Sequence, residues 1–195
     1  QLKVGGPLRT RVSSDVILPG RVALAKWALA EGCPRASWRS MAHVAAELGR
    51  LELMKWLCGE GGFAMDEHVM TGAAWSGNLD LLRWLWGEGC EWGGEDPPAF
   101  ASLRGHLEVL QWLHTSGCPW DERRICWNAA FAGRLPVLRW VRENFLEIGE
   151  GGYGAWAKEK QASMCLVAAE NGHLEVLQWL RANGCLWDAE TCKWA

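Results

Sequence analysis

The chain has 195 residues, 49% of them hydrophobic, enough for one substantial core or a modest array of small units. A formal net charge of −3 gives no chain-wide field to recruit nucleic acid or an anionic membrane. No apolar run approaches the roughly 20 residues that span a bilayer, and no signal-peptide segment is present.

Residues 1–15 mix glycine, proline, basic and polar residues without periodicity, and read as a frayed or capping segment. Seven Lys or Arg fall in residues 1–40 against Asp15 and Glu31 alone, spread out as on a solvated terminus. From residue 16 to 195 one pattern recurs: a pair of small residues, two further residues and a glycine, a leucine-rich run ending in Trp-Leu, then Gly-Cys. The first copy is degraded, with Val16-Ile17 in place of the small pair, then Trp27 and Gly32-Cys33-Pro34. An end unit with no neighbour to pack on is expected to drift in this way.

Fuller copies follow. Ala45-Ala46 leads to Gly49 and Trp56-Leu57; Ala73-Ala74 to Gly77 and Trp84-Leu85; Ala101-Ser102 to Gly105 and Trp112-Leu113. Ala129-Ala130 leads to Gly133 and Trp140-Val141, and Ala168-Ala169 to Gly172 and Trp179-Leu180. Tryptophans 27, 56, 84, 112, 140 and 179 are spaced 29, 28, 28, 28 and 39 residues apart. That makes about six repeats. A seventh is expected to begin at Cys192-Lys193-Trp194-Ala195 and to be cut off.

Each unit predicts two helices. At about 100° per residue, Leu174, Val176, Leu177, Trp179 and Leu180 gather on one broad arc, while Glu175, Gln178 and Arg181 share the other face. The upstream run Met164–Ala169 is apolar, with small residues placed for close backbone approach. Gly172 ends that first helix, in the left-handed conformation glycine tolerates. Pro136 replaces the acid found at Glu52, Asp80, Glu108 and Glu175, and proline fits only the first helical turn, where acids also complement the helix dipole.

The eight cysteines follow the same register. Cys33, Cys90, Cys118 and Cys185 follow a run-ending glycine; Cys126, Cys165 and Cys192 precede the small pair by three residues; Cys58 stands outside both classes. There is no Cys-x-x-Cys and no zinc-finger spacing. One cysteine per repeat reads as a small buried hydrophobe in a reducing compartment, hence an intracellular chain, cytoplasmic or nuclear.

The skeleton resembles the ankyrin repeat, whose Thr-Pro-Leu-His-x-Ala-Ala-x-x-Gly-His-Leu-x-x-Val pattern is best kept at Ser40-Met41-Ala42-His43-Val44-Ala45-Ala46-Glu47-Leu48-Gly49-Arg50-Leu51. Its second half is best kept at Gly105–Leu110 and Gly172–Leu177. The resemblance covers roughly residues 16–195. It implies an all-α, ankyrin-like solenoid of stacked helix-turn-helix repeats. The units take 28 residues against about 33 in the family, so shortened β-turn fingers with little strand are expected.

The long interval holds an insertion near 146–156, Leu146 to Trp156, with Gly149, Gly151 and Gly154 in Gly-x-G-x-x-Gly order and Lys158 nearby. A kinase would also need His-Arg-Asp and Asp-Phe-Gly, and neither is present. The insertion reads instead as a flexible loop or one long finger, and its Tyr153 and Trp156 are candidate loop contacts for a partner. His-Glu-x-x-His, Gly-x-Ser-x-Gly and Walker-type runs are absent. Neither catalytic, metal nor cofactor residues are assigned, and the chain is read as a non-enzyme without a small-molecule substrate. His106 and His173, after the repeat glycine, are expected to make inter-helix or loop hydrogen bonds. Trp56, Trp84, Trp112, Trp140 and Trp179, with Trp92, Trp120 and Trp187 in the loops, are expected to pack the core and the joints between repeats.

In the ankyrin family the end of the first helix borders a concave face, and the two residues between Ala-Ala and Gly contact partners. By position, the resemblance implies Glu47 and Leu48, Trp75 and Ser76, Leu103 and Arg104, Phe131 and Ala132, and Glu170 and Asn171 as partner-binding residues. These pairs vary while their flanks repeat. Trp75 and Phe131 are the natural anchors, because buried aromatics dominate interface energetics; the competing reading is that they only fill gaps between helices. The expected function is a monomeric, non-catalytic module that binds a protein or peptide on the concave face. The alternative is a structural segment of a larger repeat protein with no partner site of its own.

Overall fold

A computed structural model describes residues 38–60, 62–63, 65–94, 96–145 and 163–185, with a few isolated positions between 23 and 32. The segment 1–15, the insertion with Tyr153 and Trp156, Trp187 and the copy beginning at Cys192 lie outside the described residues. So do Cys33 and Cys192.

Helices come in pairs, each first helix joined to its second by a glycine and one or two further residues. The pairs are α1 (Trp38–Glu47) with α2 (Leu51–Cys58), α3 (Glu67–Ser76) with α4 (Leu79–Gly87), α5 (Asp96–Arg104) with α6 (Leu107–Thr115), and α7 (Glu122–Phe131) with α8 (Leu135–Phe145). A helical run over residues 163–170 precedes α9 (Leu174–Ala182). No strand occurs among the described residues, as the short repeat length predicts.

The small pair does two jobs. Its side chains are buried: Ala45, Ala46, Ala73, Ala74, Ala101, Ala129 and Ala130 are all at 0% exposure. Its carbonyls close the first helix. In the repeat after α1, the Gly49 N–H donates to Ala46 at 2.9 Å and the Arg50 N–H to Ala45 at 2.9 Å, the double bond of a Schellman ending. The same two bonds recur from Gly105 and His106, Gly133 and Arg134, and Gly172 and His173. Ser102, the one hydroxyl in this buried layer, donates back to Ala99 at 2.7 Å and so is satisfied.

With so little side chain between them, successive first helices approach closely: α1 packs on α3, α3 on α5 and α5 on α7. At Gly72 an added Cβ would lie 3.1 Å from the Ala46 Cβ and 3.2 Å from the His43 carbonyl oxygen. Second helices, whose core residues are leucines and valines, meet each other far less closely. One continuous core runs through all the described repeats. Of the repeated tryptophans Trp56 is buried, whereas Trp84, Trp112, Trp140 and Trp179 are partly buried against that core, joined by the loop residues Trp92 and Trp120. Trp92 links repeats: it stacks on Trp86 at 4.1 Å and meets the edge of Trp112 at 5.7 Å.

Pro136 lies in the first turn of α8, and Pro97 and Pro98 in the first turn of α5, where no N–H is required. Cys90, Cys118, Cys126, Cys165 and Cys185 are buried and free; Cys58 is half-buried. Burial pushes the Cys90 thiol up to about 11 and those of Cys118 and Cys126 up to about 12, so all stay protonated at neutral pH. A hydrogen bond with Cys165, together with burial, raises Cys185 further.

Candidate protein-interaction surface

At four repeat glycines, Gly77, Gly105, Gly133 and Gly172, the following residue reaches back to the previous repeat. His106 Nε2 lies 3.1 Å from the Trp75 carbonyl oxygen, Arg134 Nε donates to Leu103 at 3.2 Å, and His173 Nε2 lies 2.9 Å from the Phe131 carbonyl oxygen. Asn78, shorter, donates from Nδ2 to Gly49 at 2.8 Å while its Oδ1 caps α4 by accepting the Leu81 N–H at 2.9 Å. We call this contact the clasp. It fulfils the expectation for His106 and His173, and it identifies the partner atoms that sequence alone did not: the carbonyls of Trp75, Leu103 and Phe131.

The clasp needs the glycine for a second reason besides its backbone. Gly133 has φ +71°, and a Cβ there would stand 2.6 Å from His173 Nδ1. Gly77 is placed likewise against His106, and Gly105 against Arg134. His173 clasps Phe131 across the long interval as His106 clasps Trp75 across a short one, so the insertion leaves the repeat register intact. Burial holds the His106 imidazole below its ordinary pKa; the hydrogen bond to the Trp75 carbonyl opposes this, and the cations Arg104 and Arg134 add to it.

Three of the variable pairs, at 75–76, 103–104 and 131–132, therefore sit on a backbone pinned from the neighbouring repeat. Glu47, Trp75, Leu103 and Phe131 occupy equivalent places at the ends of α1, α3, α5 and α7, and Glu170 ends the run 163–170. Trp75 is half-buried, with Phe100 edge-on at 5.7 Å and the Arg104 guanidinium 4.8 Å above its ring. Phe131 is 40% exposed and stacks on Trp127 at 5.5 Å. Leu48 is exposed at 47%, Glu170 and Arg104 are exposed, and Leu103 and Ala132 are half-buried. Two members are engaged with their own backbone. Ser76 donates to Ala73 at 2.7 Å and accepts the Asn78 N–H, and Asn171 donates to Val167 at 2.8 Å.

The same face extends toward the helix starts, beyond the positions the sequence singled out. His43, His68, Asp96, Phe100, Arg124 and Trp127 lie there, Asp96 held by Arg124 at 2.7 Å. Together with Glu47 and Trp75, several of them enclose a cleft of about 230 Å³ across α1, α3 and α5. The signal was available: these positions also change identity between copies whose small pair stays constant. Among the described residues no His, Cys, Asp and Glu group could hold a metal ion, and no helix is long and apolar enough to cross a membrane.

A stack of paired helices closed by glycines and packed through an alanine layer defines an ankyrin-repeat-like solenoid. Among solved structures the chain is similar to the human ASB11 ankyrin repeat domain, with a TM-score of 0.53 over 74% of this chain and 69% of that one. The two share 17% sequence identity, so the likeness is one of fold. No family model matches the chain, and no curated protein sequence matches it.

Proposed function

We propose that this chain is a non-catalytic interaction module that binds a protein or peptide along its first-helix row, with Trp75 and Phe131 as anchors and Leu48, Leu103 and Arg104 beside them. The observation that carries the reading is the clasp. It fixes the backbone of Trp75, Leu103 and Phe131 from the next repeat, while their side chains differ and remain half-buried or exposed. A surface ordered before its partner arrives avoids much of the ordering cost of association. First helices approach one another closely while second helices hardly meet, which supports reading the first-helix row as the concave side of the stack. Glu47, Ala132 and Glu170 complete the surface; Ser76 and Asn171 contribute by shaping the helix ends. We further read the chain as a monomer acting on polypeptide rather than on nucleic acid, membrane or a small-molecule substrate, in a reducing cytoplasmic or nuclear setting. The repeat array is assigned to residues 16–195 and a capping segment to 1–15. In the same terms Tyr153 and Trp156 are secondary contacts.

The test selects binders from a random peptide library on the folded chain and measures each against Trp75→Ala/Phe131→Ala. Loss of at least about tenfold in affinity is expected, as for removal of interface anchors, with circular dichroism showing that the variant stays helical. Leu103→Arg, which adds charge at the centre of the row without deleting a ring, should act alike. Binders indifferent to both variants would favour the spacer reading, in which the array only separates other segments.

A further inference from the structure

The end of α5 carries a guanidinium that is held in place but not neutralised. Arg104, the last residue of the helix, is exposed, and its guanidinium lies 4.8 Å from the centre of the Trp75 ring. Attraction to a ring engages the cation as a whole and leaves its N–H donors without an acceptor atom. Among the described residues Arg104 forms no ion pair. The carboxylates of the row are placed elsewhere: Asp96, at the other end of α5, meets Arg124 at 2.7 Å, and Glu47 faces His43 at 3.7 Å. Arg134, from the next repeat, crosses the same helix end. Its Nε donates to the Leu103 carbonyl at 3.2 Å, and its Cδ lies 2.8 Å from where a Gly105 Cβ would stand. Burial lowers the His106 pKa, and the charges of Arg104 and Arg134 lower it further, so both cations act on this joint. The neighbour of α5 on its other flank, α7, presents the stacked rings of Trp127 and Phe131, exposed at 42% and 40%.

We infer that Arg104 receives an aspartate or glutamate side chain of the bound polypeptide, and that an apolar residue of the same polypeptide covers the Trp127–Phe131 stack. A carboxylate offers two coplanar oxygens, which match the fork of guanidinium donors. The Trp75 ring already orders the Arg104 side chain, so less rotamer freedom is lost when the pair forms. Arg134 adds positive field at the joint rather than a second contact. An exposed ion pair alone contributes little. The apolar residue is therefore half of the arrangement: it removes ring surface from water and lowers the effective dielectric around the neighbouring pair. The inference rests on the proposal that the first-helix row meets a polypeptide, and it states which residue that polypeptide presents to α5.

The probes are peptides selected from a random library on the folded chain, each remade with its acid replaced by the matching amide and titrated by calorimetry. Selected peptides should share an acid at one position. The amide version should bind about fivefold to tenfold more weakly, between the scale of an exposed ion pair and that of a hydrogen bond to a charged group. With Arg104→Met, which keeps an apolar stem over Trp75, acid and amide peptides should bind alike, at the affinity the amide has for the unaltered chain. Arg139→Met removes the same charge from an exposed second-helix position and should leave the difference between the two peptides in place. Selected peptides without a shared acid, or an acid–amide difference that survives in Arg104→Met, would overturn the assignment, as would its disappearance in Arg139→Met. Were the peptides lost in Trp75→Ala/Phe131→Ala yet indifferent to Arg104→Met, the charge assignment would fail and the binding row would stand. Peptides indifferent to every one of these variants would remove both.

Discussion

The two helices of each unit bury different matter for different ends. Where first helices face one another they bury alanines, a glycine and a serine, and so come close enough for backbone to lie near backbone, although they also bury larger residues such as Met70, Ile125 and Met164. Second helices bury Leu81, Leu82 and Leu85, Leu110 and Leu113, Val137 and Leu138, with the tryptophans packed at their flanks. Apolar burial scales with the area removed from water, so the second row supplies the larger share of hydrophobic stabilisation. The first row supplies close, stiff registry, and its outward positions are free to change. Under the proposed function, stability and recognition are thereby separated onto two sides of one stack.

The largest expected effects test that division at its buried layers. Leu113→Ala, at a site with 0% exposure, should cost about 2–5 kcal/mol, the lost transfer energy plus a cavity. Ala129→Leu asks the opposite of the first row. Extra carbons have no room between α5 and α7, and overpacking should cost about 1–3 kcal/mol. Thermal melts followed by circular dichroism would rank the two. If Ala129→Leu were neutral, the alanine layer would be ordinary filler and the contrast between rows would collapse.

Next in size are the clasp glycines. Gly172 and Gly133 share φ +71°, but a Cβ at Gly172 would meet nothing within 4 Å, whereas at Gly133 it would meet the His173 ring. Gly172→Ala should therefore cost about 1 kcal/mol, the left-handed penalty alone. Gly133→Ala should cost roughly a further 1–3 kcal/mol as the ring is displaced. In a His173→Ala background that excess should vanish. A gap that persisted there would show that the ring is not what the glycine accommodates.

Smaller again is Phe131→Ala. The ring is 40% exposed and its ordered contact is the stack on Trp127, so about 1 kcal/mol should be lost, against about 3–5 kcal/mol for Trp56→Ala at 7% exposure. An equal loss at the two sites would place Phe131 among the packing residues and remove it from the recognition row.

The helix pairs, their boundaries and the alanine layer were legible because each rests on local periodicity and on glycine and proline at positions with one structural meaning. Residues 43, 68, 96 and 100 were not singled out because they meet only across repeats, from helices whose register must be known first. The clasp was half legible. His106 and His173 could be assigned a hydrogen-bonding role from their place after glycine, but Arg134 and Asn78 occupy the same place with different chemistry. Only the fold reveals that imidazole, guanidinium and amide all deliver one N–H to the repeat behind. The exposed Trp127–Phe131 stack was hidden for a related reason: Trp127 lies one turn before the variable pair, where the motif reading did not look.

The smallest expected effect concerns that clasp and acidity. Burial lowers the His106 pKa in the folded state, so the native protein binds its proton less readily than the unfolded chain, whose imidazole titrates at the ordinary value of 6.5. The contribution of His106 to stability is then complete above that value and is lost as pH falls from 6.5 toward the lower folded value. Protonation does not break the bond itself, since Nε2 donates to the Trp75 carbonyl in either state. What it adds is a third cation beside Arg104 and Arg134 in a partly desolvated joint. His106→Asn removes the titration while keeping an amide donor, the group with which Asn78, at the equivalent place, reaches back to the Gly49 carbonyl. Melting temperatures of the two proteins, compared from about pH 7.5 to about pH 5 so as to bracket the histidine range, should converge as the solution acidifies. A constant difference between them across that range would separate the clasp from proton binding and leave it a purely geometric device.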